Sequence, residues 1–455
     1  MQNLFDEVVS LDRRCYEEFF LSEDLLMEHA AGGMAAYIRE NFPKNSKIIV
    51  VCGASNNGAD GLALARILHG DYAVSIFYAN KPKSAMALLQ EKRAKSIGVR
   101  ECREIEDCAV LVDAIFGTGF GGELSTELSI LIEKMNQIKA FKIACDIPSA
   151  WVFKADVTLT MGALKKSMFL DETKERIGEI KVIDLGVSRS FYETKSNWRL
   201  LDLGDIKLPN REKQDVHKGN YGHLAIASGS KIGAGVISGL SALRFGSGLV
   251  TLVGYENPQI PHTLMYSHEL PKNSTALAIG MGLGEEFSII ELDKFLDNNL
   301  PLIGDADIFY MPILLEILKR QSVVLTPHPK EFISLLKMTN IADISVEVLQ
   351  KNRFFYAEKF CAKFPTAVLL LKGANVIIGK DGDFFVNPHG TSALAKGGSG
   401  DVLSGLIGAL LAQGYTPLDS AINGSLAHAL LSKNYDGVDF SLTPDELISG
   451  IGKLK

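Results

Sequence analysis

The feature that most constrains the fold of this chain is a strand, a glycine-rich turn and a helix that follow one another near the N-terminus. Residues 47–52 are mostly apolar and β-branched, which predicts a short buried strand. The turn GASNNGADG at 53–61 comes next and leads into the helical pattern of residues 62–69. This order is typical of the first βα unit of a doubly wound parallel sheet, in which ligands bind at the carboxyl ends of the strands.

Polar residues mark the ends of several predicted strands in the first half, whose further strands lie at 73–78, 109–113 and 141–146. These residues are Asn56, Asn57, Asp60, Asp113 and Asp146. A single aspartate at such a place is more often a helix cap or a turn former, but several at one ligand-binding edge favour a site. Asn57, Asp113 and Ser149 offer hard oxygen ligands that suit a Group I or II cation.

Strands and helices alternate again in the second half, which predicts a second, mainly parallel sheet with a site at one edge. The predicted strands are 223–227, 249–253, 276–284, 302–307, 323–329 and 367–371, followed by a β-pair at 376–378 and 383–386. Residues 197–216 are polar and charged, and we interpret them as a connector between domains.

For several polar residues at these strand ends, the sequence allows two roles. His328, between two prolines, is either a turn histidine or a ligand contact. Lys372 is either a solvated charge or a phosphate contact. Asp305 and Asp307 either hold magnesium, directly or through water, or cap a helix.

The stretch 387–405 has the strongest chemical signal. It holds Gly390, Gly397, Gly398 and Gly400, then Asp401 and an apolar helical run. Glycines allow backbone N–H groups to converge on an anion, and a helix that starts there adds the positive end of its dipole. Asp401 at the start of the helix is placed to take a proton from a hydroxyl that attacks the bound group. The alternative is a tight strand-to-helix turn capped by Asp401.

Composition excludes some classes of protein. A chain of 455 residues is too long for one ordinary core, so we expect at least two domains. A net charge of -7 argues against nucleic-acid binding. The six cysteines are scattered, without a zinc-site pattern, so we expect a reduced, cytoplasmic protein. We expect no signal peptide and no membrane-spanning segment.

The first half resembles the NAD(P)H-hydrate epimerase domain, the YjeF N-terminal family, over about residues 1–200. The turns GASNNGADG, DAIFGTGF and DIPS occur in the order typical of that family, followed by Ala155–Thr160. The chain departs from it at Ser55, Ala59 and Ala150, where the family usually has glycine. The resemblance implies K⁺ bound by Asn57, Asp113 and Ser149, and Asp146 as a catalytic residue that also contacts the altered nicotinamide ring. It implies further substrate contacts at Asn56, Asn57, Gly58, Ala59, Asp60, Gly117, Thr118, Gly119, Phe120, Gly121, Gly122 and Glu123.

The second half resembles the ADP/ATP-dependent NAD(P)H-hydrate dehydratase domain, which has a ribokinase-like fold. The motifs KGNYG, GMGLG, DAD, LTPHPKEF, LKGANVII and LAKGGSGDVLSG carry this resemblance over about residues 210–455. It implies Asp401 as the catalytic base, with Ala234, Gly284 and His328 also contacting the substrate. It implies that the ADP or ATP phosphates are held by Lys372, Gly373, Ala374, Asn375, Gly397, Gly398, Ser399 and Gly400.

Together the two resemblances imply an α/β protein with two doubly wound domains, an epimerase at 1–203 and a dehydratase at 211–455. The first domain would interconvert the R and S hydrates of NADH and NADPH with K⁺. The second would dehydrate the S hydrate with ADP or ATP and Mg²⁺. We expect small-molecule substrates, no nucleic-acid or membrane partner, and a homo-oligomer, with which tight packing around Gly239 and Gly246 is compatible.

Two alternatives stay open from the sequence. The glycine-rich turn and Asp401 alone also fit a small-molecule kinase whose product keeps its phosphate, although the fused first domain argues against that. The first domain also fits a binding module without turnover, which the departures at Ser55, Ala59 and Ala150 favour. Retention of Asn57, Asp113 and Asp146 argues for catalysis.

Overall fold

The computed structural model describes residues 1–254, 259–284 and 289–455, and the chain divides into two compact units. The N-terminal unit is Gln2–Ser196, and the C-terminal unit is Asn197–Lys455 together with Met1. Both contain strands that alternate with helices, so the predicted α/β class with two doubly wound sheets is confirmed. The assignment of functional domains to 1–203 and 211–455 stays a prediction.

The elements of the N-terminal unit follow the predicted alternation. Its strands are β1 (Gln2–Phe5), β2 (Lys47–Cys52), β3 (Ala73–Tyr78), β4 (Arg100–Glu101), β5 (Val110–Ala114), β6 (Phe141–Cys145), β7 (Val157–Met161), β8 (Leu164–Lys165) and β9 (Glu179–Ile183). Its helices are α1 (Val9–Glu18), α2 (Glu23–Asn41), α3 (Asn56–Leu68), α4 (Ala85–Ser96), α5 (Thr126–Gln137) and α6 (Arg189–Tyr192).

The main sheet of this unit is parallel, with the order β4-β3-β2-β5-β6-β7-β9, and β1 pairs separately with β8. Strands β2, β5 and β6 are neighbours, in a register that sets Val51 opposite Asp113 and Asp113 opposite Ala144. Their buried side chains form apolar layers on both faces of the sheet. The carboxyl ends of these three strands therefore lie side by side.

The C-terminal unit repeats this plan with more strands. They are β10 (Trp198–Leu200), β11 (His223–Ala227), β12 (Leu249–Val253), β13 (Met265–Ser267), β14 (Ala276–Ile279), β15 (Leu302–Gly304), β16 (Val323–Leu325), β17 (Ala367–Leu371), β18 (Val376–Lys380) and β19 (Asp383–Asn387). The helices are α7 (Ile232–Arg244), α8 (Ile289–Leu296), α9 (Leu314–Ile317), α10 (Pro329–Met338), α11 (Val346–Lys351), α12 (Arg353–Lys363), α13 (Ser399–Ala412), α14 (Pro417–Lys433) and α15 (Pro444–Gly450).

Its sheet has the order β13-β12-β11-β14-β15-β16-β17-β18-β19-β10. Pairing is parallel from β13 to β17 and antiparallel through β18 and β19, which form the predicted β-pair. Strand β10 pairs with Phe384–Val386 of β19. The segment 197–216, interpreted as a connector, therefore contributes a strand to the C-terminal unit.

Helix α13 is the central helix of the C-terminal unit. Nearly all of its residues are buried, because it packs on α7 and α14. A Cβ at Gly405 would lie 2.2 Å from the Ser238 carbonyl oxygen of α7, so only glycine permits this helix contact. The Ser238 and Ser241 hydroxyls donate to the Asp401 and Val402 carbonyl oxygens, each at 2.9 Å. These contacts fix the N-terminus of α13 at the carboxyl edge of the sheet.

A search of the described residues found no helix with the length and apolar character needed to span a membrane.

Candidate functional site

The turn after β2 places the first group of predicted site residues. Helix α3 begins at Asn56, whose Nδ2 donates to Glu23 Oε1 at 2.6 Å. Asn57 is buried, and within the described part of the chain its Nδ2 atom has no hydrogen-bond partner. A Cβ at Gly58 would lie 2.1 Å from the Gly53 carbonyl oxygen, so this close approach requires glycine. Ala59 is fully buried.

Asp113 and Ser149 form a buried pair where β5 and β6 end. The Ser149 hydroxyl donates to Asp113 Oδ1 at 2.6 Å, and the Ser149 N–H donates to Asp113 Oδ2 at 2.8 Å. Ser149 Oγ also accepts from the Phe116 N–H at 2.9 Å. Burial raises the pKa of Asp113 to about 6, although these hydrogen bonds oppose the shift.

Asp146 follows β6 in a left-handed conformation, with φ at 70°, and is buried. Its Oδ1 accepts from Lys165 Nζ at 2.5 Å, and from Thr160 Oγ1 and the Met161 N–H at 3.3 Å each. Lys165 is fully buried and also donates to Thr160 Oγ1 at 2.7 Å. The sequence pattern did not single out Lys165, because its pairing with Asp146 depends on the turn between β7 and β8.

Gly117 shows that Asn57 and Asp146 converge. A Cβ built on Gly117 would lie 3.3 Å from Asp146 Oδ2 and 3.4 Å from Asn57 Oδ1. The predicted substrate loop that starts at Gly117 is open: Thr118, Gly119, Gly121, Gly122 and Glu123 are exposed, and Phe120 stacks on Phe116 with centroids 4.1 Å apart. The structure therefore brings Asn57, Gly117 and Asp146 together below an exposed glycine-rich loop.

Asp60 faces the same acidic surroundings from the first turns of α3. Burial, followed by the charges of Asp146 and Asp12, raises the pKa of Asp60 well above its usual value. The charged form of the Asp60 carboxyl group is therefore less favoured than in a solvent-exposed aspartate.

The C-terminal unit places the predicted phosphate cradle at the N-terminus of α13. Gly398 has φ at 87° and is the residue that precedes the helix. A Cβ there would lie 2.6 Å from Pro444 Cγ. Gly397 is exposed, whereas Ser399 is buried and lies 3.1 Å from the His428 ring, Oγ to Nε2. Burial, and then the charge of Lys372, lower the pKa of His428 to about 4, so it is neutral near pH 7.

Lys372, at the end of β17, points towards this cradle. Its Nζ donates to Asp305 Oδ1 at 2.7 Å and lies 3.9 Å from Glu331 Oε2. A Cβ on Gly400 would lie 3.6 Å from the same Nζ. The Ser404 hydroxyl of α13 donates to Asp305 Oδ2 at 2.8 Å. Asp305 therefore joins the lysine to the helix, a role that its acidic motif alone did not predict.

Three carboxylates, those of Asp305, Glu331 and Asp401, interact with the single ammonium group of Lys372. Burial, and then the charge of Asp305, raise the pKa of Asp401 to about 7, although Lys372 opposes the shift. Burial likewise raises the pKa of Glu331 to about 7, against the charge of Lys372. Burial acts to lower the pKa of Lys372, but the neighbouring carboxylates, Asp305 first, raise it overall. Asp401 thus has the protonation behaviour that suits a base near neutral pH.

His328 caps helix α10. Its Nδ1 accepts from the Lys330 and Glu331 N–H groups at 3.1 and 3.2 Å, and its own N–H donates to Glu331 Oε2 at 2.7 Å. Its Nε2 lies 3.1 Å from Glu331 Oε1. Glu331 was missed from the sequence, although an acid three residues after a cap residue is the signal of a capping box.

The remaining predicted site residues of the C-terminal unit are Ala234, Gly284 and Gly373–Asn375. The Gly284 N–H donates to Asp307 Oδ2 at 3.0 Å, and a Cβ on Gly282 would lie 3.0 Å from the Ala234 Cβ. Gly373 and Ala374 are exposed, and Asn375 is buried. In the described ranges, no three His, Cys, Asp or Glu side chains are grouped to hold a metal ion.

Family models match both halves of the chain. Residues 224–451 match the family model described as NAD(P)H-hydrate dehydratase, and residues 23–167 match the model described as YjeF-related protein N-terminus. The bifunctional NAD(P)H-hydrate repair enzyme of Helicobacter pylori is 43% identical over an alignment of 474 positions that covers 100% of both chains. The enzyme of the same name from Coxiella burnetii is 31% identical and covers 90% of both chains.

One solved structure is similar to the C-terminal part. It is the ADP/ATP-dependent NAD(P)H-hydrate dehydratase from Bacillus subtilis co-crystallised with ATP and Mg²⁺. It is 31% identical, with a TM-score of 0.47, and the match covers 54% of this chain and 92% of that one.

Proposed function

The chain belongs to the family of bifunctional NAD(P)H-hydrate repair enzymes, and we propose that each of its units carries one step of the repair. The N-terminal unit interconverts the R and S hydrates of NADH and NADPH. The C-terminal unit uses ADP or ATP to dehydrate the S hydrate back to the reduced nucleotide. Epimerisation is needed because a dehydratase specific for one epimer would leave the other unrepaired.

In the N-terminal unit, the exposed loop 117–123 and the turn Asn56–Asp60 hold the hydrated nucleotide, and Asp146 contacts its altered ring. The convergence of Asn57, Gly117 and Asp146 supports this assignment. K⁺ is proposed to bind at Asn57, Asp113 and Ser149. The donor chemistry fits, because Asn57, Asp113 and Ser149 are buried and each carries a hard oxygen that can coordinate a cation.

In the C-terminal unit, the N–H groups of Gly397–Gly400 hold the phosphates of ADP or ATP. Asp401 removes the proton of the substrate hydroxyl while the hydroxyl oxygen attacks the terminal phosphorus of ADP or ATP. The bond between that phosphorus and the rest of the nucleotide breaks. Each N–H that meets the developing charge contributes about 3 kcal/mol. The phosphate then leaves with the hydroxyl oxygen while the adjacent carbon loses a proton, which restores the dihydronicotinamide ring.

Mg²⁺ is proposed to accompany the nucleotide. The residues fit a cation, because Asp305, Glu331 and Asp401 place three carboxylates around Lys372, and two of them have a raised pKa. Mg²⁺ usually keeps several water ligands and binds through one or two carboxylates together with substrate phosphates. When bound, the ion would neutralise phosphate charge during the transfer.

The observation that carries the dehydratase assignment is the position of Asp401. It lies in the first turn of the helix that follows the glycine cradle, with a pKa near 7. The test is to incubate the purified chain with mixed NADH-hydrate epimers, ADP, Mg²⁺ and K⁺, and to follow the return of reduced-nicotinamide absorbance. We expect recovery beyond the initial S epimer, faster than spontaneous epimerisation.

Two substitutions separate the activities. Asp401→Asn should stop dehydration but spare epimerisation, and Asp146→Asn should do the reverse. Replacing K⁺ by Na⁺ should slow only epimerisation. A stable phosphorylated product would identify a kinase instead, and recovery that stops at the S epimer would identify the N-terminal unit as a binding module. If both variants keep both reactions, the residue assignments are wrong.

A further inference from the structure

Lys165 is a buried lysine of the N-terminal unit that contacts the proposed catalytic residue Asp146. Its side chain is fully buried and donates to three acceptors: Asp146 Oδ1 at 2.5 Å, Thr160 Oγ1 at 2.7 Å and the Met161 carbonyl oxygen at 3.2 Å. An ammonium group has three N–H donors, so this set satisfies all of them. Lys165 therefore holds a single orientation and cannot reach a substrate directly.

The two oxygens of Asp146 have different surroundings. Oδ1 receives Lys165 Nζ, Thr160 Oγ1 and the Met161 N–H. For Oδ2, no hydrogen bond is found from any residue that the structure describes. Oδ2 is the atom that a Cβ on Gly117 would approach to 3.3 Å, at the base of the exposed loop. The hydrogen bonds thus fix one oxygen and leave the other facing the loop.

We propose that Lys165 is a positioning residue that anchors Asp146 through Oδ1 and thereby makes Oδ2 the oxygen that contacts the hydrated ring. This inference rests on the proposed epimerase function. Asp146 adopts a positive φ, which is uncommon for a residue with a side chain and needs support from its surroundings. The ammonium of Lys165, together with Thr160 from β7, supplies that support from the side away from Gly117.

A structural role alone predicts different behaviour. If Lys165 served only to keep the fold, its loss would lower the amount of folded protein and would act equally on variants with and without Asp146. If Lys165 acts through Asp146, its loss should lower turnover only while Asp146 is present. A double-mutant cycle distinguishes these cases, because residues that act as one unit give non-additive effects.

The experiment uses the full chain and the R epimer of NADH hydrate, with ADP, Mg²⁺, K⁺ and an excess of the Asp146→Asn chain to dehydrate the S epimer as it forms. For Lys165→Met we expect kcat of epimerisation to fall about 10²-fold, the effect of misplacing a catalytic group by about 1 Å, with little change in KM. Dehydration of the S epimer by the same variant should be unchanged. In the Asp146→Asn background, the double variant and the Asp146→Asn variant are each assayed alone, so that each chain dehydrates its own S epimer. Lys165→Met should then cause no further loss of residual epimerisation.

Two further variants keep the test decisive. Thr160→Val removes one hydroxyl from the network without removing a charge, and should lower kcat about tenfold, the ratio expected for one hydrogen bond to a charged group. If Lys165→Met does not fold, Thr160→Val is used in its place to test the positioning role. Lys166→Met is the matched control, because this adjacent buried lysine pairs with Asp6 at 2.7 Å, and it should leave kcat unchanged.

The outcomes separate two kinds of failure. If the wild-type chain does not epimerise the R hydrate, the proposed function is wrong. If the wild type epimerises but Lys165→Met and Thr160→Val keep its kcat, the positioning role is wrong. It is also overturned if Lys165→Met lowers residual turnover further in the Asp146→Asn background, or if Lys166→Met causes the same loss.

Discussion

Replacing Gly398 by alanine should destabilise the C-terminal unit much more than the same change at its neighbour Gly397. At Gly398 the backbone φ is 87°, a conformation that costs a residue with a Cβ about 1–2 kcal/mol. The new methyl would also lie 2.6 Å from Pro444 Cγ and 3.2 Å from Ile237 Cδ1, and such overpacking costs about 1–3 kcal/mol. Lower entropy of the unfolded chain offsets about 0.4–1 kcal/mol.

The net expectation for Gly398→Ala is a loss of about 1–5 kcal/mol in the free energy of unfolding. For Gly397→Ala, no atom that the structure describes would lie within 4 Å of the new Cβ. Its change should therefore be small, between zero and a gain of about 1 kcal/mol. The two variants make the same chemical change in one glycine cradle, so their difference isolates the conformation and packing at Gly398.

Denaturant unfolding followed by tryptophan fluorescence can measure this difference in the C-terminal unit alone. The chain has two tryptophans, and a Trp151→Phe background leaves Trp198 as the reporter. Trp198 is buried in the C-terminal unit and stacks on Phe384 with centroids 4.4 Å apart. A single reporter is needed because two units need not unfold together.

The catalytic consequence is a second readout of the same variant. Movement of the cradle by about 1 Å should lower dehydratase kcat about 10²-fold, while epimerisation by the same chain stays unchanged. The reasoning is refuted if the unfolding free energies of Gly398→Ala and Gly397→Ala differ by less than the summed uncertainty of the two extrapolations. It is equally refuted if the Gly397 variant is the less stable one.

Three further predictions concern Asp401, Ala150 and Glu331. Asp401 must be ionised to act as a base, so kcat/KM of dehydration should fall as the pH drops below about 7. Because Lys372 lowers the pKa of Asp401, Lys372→Met should move this acidic limb of the pH–rate profile to higher pH. An acidic limb that does not move would contradict the assignment. Ala150 has φ at 51°, so Ala150→Gly should stabilise the N-terminal unit by up to about 1 kcal/mol in thermal unfolding, and a loss of stability would show that no strain is stored there. Burial raises the pKa of Glu331 from 4.5 to about 7, so the folded state binds more protons than the unfolded state between these values. Stability of the C-terminal unit should therefore fall as pH rises from 4.5 to about 7, and Glu331→Gln should flatten that dependence in denaturant titrations at several pH values.

The strands were predictable because they are buried on both faces, which leaves a continuous apolar run in the sequence. Strands β2, β3, β11, β12 and β17 have the predicted bounds. The predicted strand at 302–307 ends earlier, at Gly304, because the 3₁₀ helix Ala306–Tyr310 begins directly after Asp305. The strand β10 was not predicted, since a strand of three residues is too short to show a periodic pattern.

The edge of each sheet that carries the site was also predictable, because the carboxyl ends of parallel strands converge whatever their side chains. The partners of the site residues were not. The roles of Lys165, Glu331, Ser404 and His428 depend on contacts across the fold. One example is the hydrogen bond between Ser404 and Asp305, which are 99 positions apart in the sequence. The predicted K⁺, homo-oligomer and cytoplasmic location stay predictions.

The two proposed catalytic aspartates differ in how their charge is balanced, and the difference matches their proposed tasks. Asp146 pairs with the buried Lys165 through Oδ1, and its Oδ2 faces Gly117, where it is held as an acceptor for the ring. Asp401 competes with Asp305 and Glu331 for the charge of one lysine, and its pKa is raised to about 7. A group with that pKa can both accept and release a proton near neutral pH, whereas a fixed ion pair is better suited to orientation. The buried lysine therefore orients the catalytic carboxylate of the N-terminal unit, whereas burial and a neighbouring carboxylate raise the pKa of the catalytic base of the C-terminal unit.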